Sequence, residues 1–407
     1  MDLVVTVAIV AVLLIAGAVV VYLSPVRHTQ STQANAPEPA AAVRVVPGSF
    51  APAWHAASAA TSVPAVGKSV VVTANGGEVV GRDRTTGNPL WHYSRDRDLC
   101  TAALAWPTSI DEVLAVYRNS RGCSEVTALD AATGQRKGAR TSDADENLRL
   151  ITDSGYVLAQ GPGRLETWGS NLVRGIEYGR VTAPVNPGVQ PNRTGCHLLS
   201  SAISGERLAV IERCTGDYGY RLTVLGALLN DDEHVSQYGS SIITDNADGP
   251  PPVLVSMSSS AIAVYDGGAN SAQPTTPTMR KYNTDGALLS SSRVNGHTAP
   301  PADSVALVSD GLVTFFTGTD TVVLDGQSMQ PRYQVPNTLG PGEVMAGRLL
   351  LPSPAGITSR DPATGEDAKS ISLARTDYSG GTISLRVLGN SVVEQRGSMV
   401  EVFRAEN

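Results

Sequence analysis

The chain is poor in charged residues, in aromatic residues and above all in lysine. Charged residues make up 17% and aromatic residues 5% of its 407 positions. Its four lysines are Lys68, Lys137, Lys281 and Lys369. The formal net charge of −7 argues against a nucleic-acid-binding surface, because backbone phosphates attract basic faces. The excess of Arg over Lys, together with abundant Ala, Val and Gly, favours a GC-rich, actinobacterial genome; this inference concerns codon usage alone.

The sequence also lacks the motifs of the common catalytic classes. It contains no nucleophile elbow, phosphate-binding loop, Rossmann glycine pattern or zinc-protease motif. The six histidines are scattered along the chain. His197 adjoins Cys196, but neither a CxxC pair nor a second histidine at ligand spacing accompanies it. We therefore predict a non-enzymatic protein with no catalytic, cofactor-binding or metal-binding residues and no cofactor.

One long apolar run opens the chain. Leu3–Leu23 carries no charged residue, and at 1.5 Å per residue a helix of this length spans roughly 30 Å, the thickness of a bilayer core. No basic region precedes the run, and it is longer than the apolar region of a usual signal peptide. We therefore predict a membrane-spanning anchor, with a cleaved signal peptide as the alternative.

The segment after the apolar run is rich in Ala, Pro, Ser, Thr and Gln. Such a composition offers little apolar surface for folding, so it predicts a flexible linker. The predicted organisation is a cytoplasmic N-terminus at 1–2, a transmembrane helix at 3–23, a linker at 24–48 and an extracytoplasmic domain at 49–407.

A short phrase recurs in the rest of the chain: a strand, Asp, two residues, Thr-Gly, and a second strand. It is clearest at 80–91, 126–137 and 357–371. A repeat every few tens of residues predicts a solenoid, propeller or array. Because each unit consists of short strands and turns, without helical periodicity, we predict an all-β fold, a β-propeller with four-stranded blades.

The spacing of the repeat, about 45 residues, is typical of a propeller blade. It predicts eight blades, with seven as the alternative. The predicted turn centres are Asp83, Asp130, Gly169, Gly226, Asn283, Asp325, Asp361 and Arg404.

The last unit ends after its third strand, Met399–Arg404, so a strand is missing there. Ala51–Ala57, which contains Trp54, resembles the strand that should follow. Pairing this segment with the last strand, which contains Val402, would close the ring and remove an exposed sheet edge. We therefore predict that Trp54 and Val402 take part in ring closure.

The recurring phrase has a mechanical explanation. Its glycine supplies a positive φ cheaply, and its Asp can accept hydrogen bonds from the backbone of the turn. The aromatic residue that follows has apolar surface to bury against the next blade. The motif residues are Asp83, Thr86, Gly87 and Trp91 in the first unit, Asp130, Thr133 and Gly134 in the second, and Asp361, Thr364 and Gly365 in the seventh.

This phrase resembles the tryptophan-docking motif of the pyrroloquinoline-quinone-like β-propellers, Ala-x-Asp-x-x-Thr-Gly-x-x-x-Trp. The match is close at Asp83–Trp91 and at Ala128–Gly134, and partial at Asp361–Gly365, where Lys369 stands in the aromatic position. In that family the motif is structural, and its members include both quinone-dependent dehydrogenases and non-enzymatic scaffolds. The sequence lacks the adjacent Cys-Cys pair typical of the alcohol dehydrogenases.

The four cysteines occupy matching places in two predicted blades. Cys100 and Cys123 fall in the second blade, and Cys196 and Cys214 in the fourth. Of the three possible connectivities, we prefer Cys100–Cys123 and Cys196–Cys214, because the partners then share a blade; free thiols are the alternative. Disulfides indicate an oxidising compartment, so the propeller is expected outside the cytoplasm, held at the cell membrane.

These observations favour a scaffold or adaptor that binds envelope or membrane proteins through its propeller loops, in envelope assembly or transport. The long loop Gly267–Pro277 is a candidate contact, because loops on rigid scaffolds often carry binding; a disordered insertion is the alternative. Two other functions stay open: a quinone-dependent dehydrogenase-like enzyme, and a glycan or ligand sensor that uses the central pocket. The sequence identifies neither the partner nor the face that binds it.

Overall fold

The computed structural model describes residues 2–23, 25–153, 155–182, 187–191, 193–244, 249–268, 276–376 and 378–406. It begins with helix α1 (Asp2–Leu23), which is followed by a short 3-10 turn (Pro25–His28) and strand β1 (Thr29–Thr32). Within the described residues, α1 alone is long and apolar enough to cross a membrane. Length and composition support the assignment of a membrane span, and a signal sequence would pass the same test.

The described residues after β1 form eight four-stranded antiparallel blades, as the repeat spacing predicts. Blade 1 consists of β3 (Ala65–Val66), β4 (Val70–Asn75), β5 (Glu78–Asp83) and β6 (Pro89–Arg95), and blade 2 of β7 (Leu99–Ala105), β8 (Glu112–Asn119), β9 (Gly122–Asp130) and β10 (Arg136–Thr141). Blade 3 consists of β11 (Arg149–Thr152), β12 (Val157–Gln160), β13 (Arg164–Trp168) and β14 (Arg174–Gly179), and blade 4 of β15 (Cys196–Ser204), β16 (Arg207–Cys214), β17 (Arg221–Leu229) and β18 (Val235–Ile242).

Blades 5 to 7 continue this order. Blade 5 consists of β19 (Val253–Met257), β20 (Ala261–Asp266), β21 (Thr278–Asn283) and β22 (Leu288–Arg293). Blade 6 consists of β23 (Leu307–Ser309), β24 (Leu312–Phe316), β25 (Thr321–Asp325) and β26 (Pro331–Val335). Blade 7 consists of β27 (Glu343–Met345), β28 (Arg348–Ser353), β29 (Gly356–Arg360) and β30 (Lys369–Leu373). Blade 4 differs from the prediction at Gly226, because β17 runs through this residue and turns only after Leu229.

Blade 8 joins the two ends of the propeller. Its first three strands are β31 (Ile383–Leu388), β32 (Ser391–Arg396) and β33 (Met399–Ala405), and its outermost strand is β2 (Ser49–Ala57) from the start of the chain. Trp54 lies opposite Val402 in the antiparallel pairing of β2 with β33. Apolar side chains of blades 1 and 8, among them Val71 and Val402, form a shared buried cluster that completes the ring.

The recurring phrase docks one blade on its neighbour, as at the junction of blades 1 and 2. Asp130 Oδ1 accepts hydrogen bonds from Thr133 N and Oγ1, at 2.9 and 2.8 Å, and Gly134 has a φ of +72°. The ring of Trp91, from the outer strand of blade 1, lies against Gly134 so closely that a Cβ there would meet it at 2.6 Å. Its Nε1 donates to Ala131 O at 3.0 Å.

The same docking recurs at two other blade junctions. Trp54 of blade 8 lies on Gly87 of blade 1, and Tyr333 of blade 6 lies on Gly365 of blade 7. The Tyr333 hydroxyl donates to Pro362 O at 3.1 Å. The motif therefore fastens neighbouring blades as well as the turn that contains it.

A buried ion network replaces aromatic docking between blades 2 and 3, where Gly138 stands in the aromatic position. Arg164 is buried and pairs with Glu166 and Glu177 on the neighbouring positions of its own blade. Arg140 of blade 2 stacks over Trp168 and lies 3.3 Å from Glu166. Burial alone would raise the pKa of Glu166, but Arg164 and Arg140 outweigh it and hold that pKa below its usual range.

Both preferred disulfides are present. The two Cα atoms of Cys100–Cys123 lie 5.8 Å apart. The disulfide Cys196–Cys214 joins residues directly opposite each other on β15 and β16. The described residues contain no free cysteine.

Removing the Cys100–Cys123 crosslink is expected to lower the free energy of unfolding by about 3 kcal/mol, because it closes a loop that otherwise adds entropy to the unfolded chain. The measurement is urea denaturation of the double variant Cys100→Ala/Cys123→Ala beside the parent protein. An unchanged midpoint with an unchanged slope would contradict the expectation.

Residues 29–48 of the segment predicted as a flexible linker include a paired strand and several contacts with the propeller. β1 pairs antiparallel with β6 and adds a fifth strand to the outer edge of blade 1. Residues 33–48, which we call the strap, then run across one face of the propeller to β2. Two partly buried valines, Val43 and Val46, pack on the core of blades 7 and 8 and supply apolar contact that the composition of the segment did not predict.

Candidate functional site

The strap divides one face of the propeller into a covered and an open half. This face, the strap face, carries the turns between the first and second and between the third and fourth strands of each blade. Ala34 N donates to Thr133 O of blade 2 at 3.0 Å, and Ala40 N donates to Lys68 O of blade 1 at 2.9 Å. With the packing of Val43 and Val46 on blades 7 and 8, these contacts place the strap over blades 1, 2, 7 and 8.

A cavity of about 380 Å³ lies where the strap meets the inner turns of the blades. Its wall combines strap residues with the first turns of blades 1, 2, 6, 7 and 8, so it sits at the central axis. Most of the wall is apolar, and the ionisable side chains in it are Lys68, Asp111 and Asp310. An apolar wall with a few polar groups is the usual make-up of a small-molecule site.

Asp111 is the polar group of this wall with the most unusual surroundings. It is only 7% exposed, and its backbone is left-handed, with a φ of +63°. Oδ2 accepts a hydrogen bond from Lys68 N at 2.9 Å, whereas Oδ1 has no hydrogen-bond partner among the described residues. Burial raises the pKa of this carboxyl group. The geometry would suit a ligand that donates a hydrogen bond or carries a positive charge.

The open half of the strap face exposes apolar side chains. Outside α1, the described residues include ten exposed large hydrophobic side chains, and six of them lie at or beside the strap-face ends of blades 3, 4 and 5. They are Val173, Leu228, Leu229, Tyr238, Leu288 and Leu289. We call these six residues the open rim.

The hairpin β17–β18 of blade 4 is the centre of the open rim. A Cβ on Gly175 of blade 3 would lie 2.9 Å from Leu228, so the hairpin packs against its neighbour on one side. On the other side, Arg207 stacks 3.7 Å from the Tyr238 ring and donates to Thr284 O of blade 5 at 3.2 Å. The hairpin therefore contacts both neighbouring blades. Neither its strands nor its turns matched the recurring phrase, so the motif gave no signal for it.

The predicted contact loop Gly267–Pro277 connects β20 to β21 and belongs to the face opposite the strap. Residues 269–275 lie outside the described residues, so the loop can be placed only by its two ends. The motif residues and the ring-closure pair act at blade junctions. Trp54 and Val402 also belong to an apolar cluster with Ala40, Val66 and Leu388 of the cavity wall.

One cluster has the composition of a metal site. The sulfurs of Cys196 and Cys214 and a carboxylate oxygen of Glu212 lie within 4.8 Å of one another. Both sulfurs belong to a disulfide, so neither is available as the thiolate that metals bind. Glu212 instead accepts a hydrogen bond from Tyr178 Oη of blade 3 at 2.7 Å, which links blades 3 and 4, and one from Thr223 Oγ1 of its own blade at 2.6 Å.

Comparison with known proteins gives the fold and no family. No protein-family model matches the chain, and no curated protein matches it. Solved structures with a similar fold include BamB from Moraxella catarrhalis, with 12% identity, a TM-score of 0.49 and coverage of 87% of this chain and 97% of BamB.

Two further similar structures differ widely in kind. The N-terminal domain of Nup159 has 10% identity and a TM-score of 0.47, over 91% of this chain and 99% of that domain. The dihydro-heme d1 dehydrogenase NirN has 13% identity and a TM-score of 0.46, over 75% of this chain and 64% of NirN. At such low identity these likenesses concern the fold alone.

Proposed function

We propose that this protein is a non-enzymatic docking platform of the cell envelope, anchored in the membrane by Leu3–Leu23 with its propeller outside the cytoplasm. On this proposal it is an actinobacterial propeller of the pyrroloquinoline-quinone-like type, a placement that the docking of Trp91 on Gly134 supports. Its partners are envelope or membrane proteins engaged in assembly or transport.

The observation that carries the proposal is the open rim. Large apolar side chains that cluster on one exposed surface mark an interaction site, whereas single exposed ones are ordinary. On the covered half of the same face, valines of the strap pack against the propeller and shield apolar surface from solvent. The rim of blades 3 to 5 has no such cover among the described residues.

The anchor supports the same function. Only residues 24–28 separate α1 from β1, and five extended residues reach about 18 Å. The outer edge of blade 1 is therefore held close to the end of α1. A short connection of this kind suits a platform that works at a membrane surface.

The test is crosslinking in native membranes followed by mass spectrometry of the affinity-purified full-length protein. We expect an envelope protein in near-stoichiometric amount. The double variant Leu228→Ser/Leu229→Ser should recover several-fold less of it, because two partly exposed anchors each contribute apolar contact. Deleting residues 269–275, within the connection from β20 to β21, is the control and should change nothing. Recovery of no protein partner with the parent chain would refute the proposal.

The cavity favours a second candidate function, the binding of a small ligand, either as a sensor or as a quinone-dependent dehydrogenase-like enzyme. Its support is the buried Asp111 Oδ1 without a partner, because a buried carboxylate oxygen left unpaired is costly. A small molecule or redox cofactor that co-purifies in place of a protein partner, and is lost in Asp111→Asn, would move this candidate to first place.

A further inference from the structure

The open rim carries a pattern of charge that its apolar residues alone do not explain. The tip of the β17–β18 hairpin holds Asp231, Asp232 and Glu233, all exposed, which follow Leu228, Leu229 and Asn230. Glu206 is also exposed, and its carbonyl accepts a hydrogen bond from Ala227 N at 2.8 Å, which places it beside the same leucines.

These four carboxylates form no ion pair with any described residue. The neighbouring cations are already engaged: Arg207 pairs with Asp285 at 3.4 Å, and Arg174 pairs with the buried Glu177. The leucines are thus bordered by negative charge that the propeller itself does not balance.

We infer that the open rim binds a basic amphipathic segment of a partner protein. The apolar side chains of that segment contact Leu228, Leu229 and Tyr238, and its Lys or Arg side chains pair with the carboxylates of the acidic tip. This inference rests on the proposed function and names the chemistry of its partner. Complementary charge steers a partner to its site and selects it over others, while the apolar contacts hold it.

The same charges argue against the other large classes of occupant. Anionic lipid headgroups and nucleic-acid phosphates are repelled by a surface with four unpaired carboxylates. An acidic partner is repelled in the same way.

Photocrosslinking from two positions of one blade tests the inference in the full-length protein in native membranes. One position is Leu229, 37% exposed on the rim. The control is Tyr218, 68% exposed in the turn between β16 and β17, on the opposite face of the same blade. A photoreactive phenylalanine analogue at Leu229 should crosslink a protein through a peptide that combines Lys or Arg with apolar residues, and the analogue at Tyr218 should not.

Neutralising the tip gives a second, independent measurement. The variant Asp231→Asn/Asp232→Asn/Glu233→Gln keeps side-chain size and should lower the crosslink yield at Leu229 about tenfold at low salt. Raising the ionic strength from about 0.05 to about 0.5 M should weaken the parent crosslink several-fold. The matched control, Glu78→Gln/Glu366→Gln, removes two exposed acids elsewhere and should leave the yield unchanged.

The outcomes separate this inference from the proposed function. If a protein partner is bound but crosslinks from Tyr218 alone, or through an acidic peptide, or equally well after neutralisation of the tip, the basic-segment inference is overturned and the docking platform stands. A crosslink from Leu229 to lipid also overturns it. If neither position crosslinks a protein and none co-purifies, the proposed function fails as well.

Discussion

A chain that begins at Ser58 is expected to aggregate or to lose cooperative unfolding, whereas a chain that begins at Thr29 keeps the fold. The Ser58 chain lacks β2, so β33 becomes an open sheet edge over seven residue pairs, and such edges invite aggregation. It also loses the buried Phe50, and removing a buried Phe side chain alone costs about 3–5 kcal/mol. With the lost strand pairing, the total approaches the 5–15 kcal/mol that holds a typical domain together.

Three chains, which begin at Thr29, Ser49 and Ser58, separate the contributions of the strap and of β2. The Thr29 chain is the control, because it lacks α1 and the short turn after it but keeps β1, the strap and β2. The Ser49 chain keeps β2 and loses both β1 and the strap, so a moderate fall in melting temperature is expected. Size-exclusion chromatography and thermal unfolding followed by circular dichroism measure the result. A monomeric Ser58 chain that melts with the control would show that β2 does not close the ring.

Replacing Trp91 by Ala is expected to lower the free energy of unfolding by about 3–5 kcal/mol, because the side chain is fully buried and leaves a large cavity between two blades. The variant also loses the hydrogen bond from Trp91 Nε1 to Ala131 O. Urea denaturation measures the change. Leu288→Ala, a large-to-small change at an exposed strand residue, is the control and should stay within about 0.5 kcal/mol of the parent protein.

The partner of Trp91 makes this prediction sharper. Gly134→Ala should also destabilise the protein, because a Cβ there meets the Trp91 ring and the backbone φ is positive. Combined with Trp91→Ala, the clash disappears and only the backbone strain remains. The double variant should therefore be less destabilised than the two single changes added together. Strict additivity would mean that ring and glycine do not meet.

The positions of the turns could be predicted from the sequence where the recurring phrase is present. They were predicted less accurately where the phrase is absent. Asp83, Asp130 and Asp361 cap turns that glycine completes, and these turns are as predicted. In blade 6 the turn lies at Asp325 as predicted, although Met329 occupies the glycine position with a φ of +55°. In blade 4 the turn moves beyond Gly226 to the tip at 230–234. A positive φ at a non-glycine residue leaves little trace in the sequence.

The strap, the ion network and the open rim could not be predicted for a common reason. Each depends on surfaces that distant parts of the chain create. Val43 and Val46 are sparse apolar residues in a polar segment, and they become anchors only because blades 7 and 8 offer a core beneath them. Arg164 belongs to a residue type that is normally exposed, and it is buried because Glu166 and Glu177 balance its charge.

The pairing of β1 with blade 1 also determines which blades lie nearest to α1 and which lie farthest from it. In a ring of eight blades, the fifth is diametrically opposite the first. On the proposed topology, the anchor holds the outer edge of blade 1 to the bilayer, so the outer edge of blade 5 is the part of the disc that reaches farthest from the lipid. On that proposal the open rim, which lies on blades 3 to 5, would be in the half of the propeller away from the bilayer, at a distance set by the width of the propeller rather than by the length of a tether.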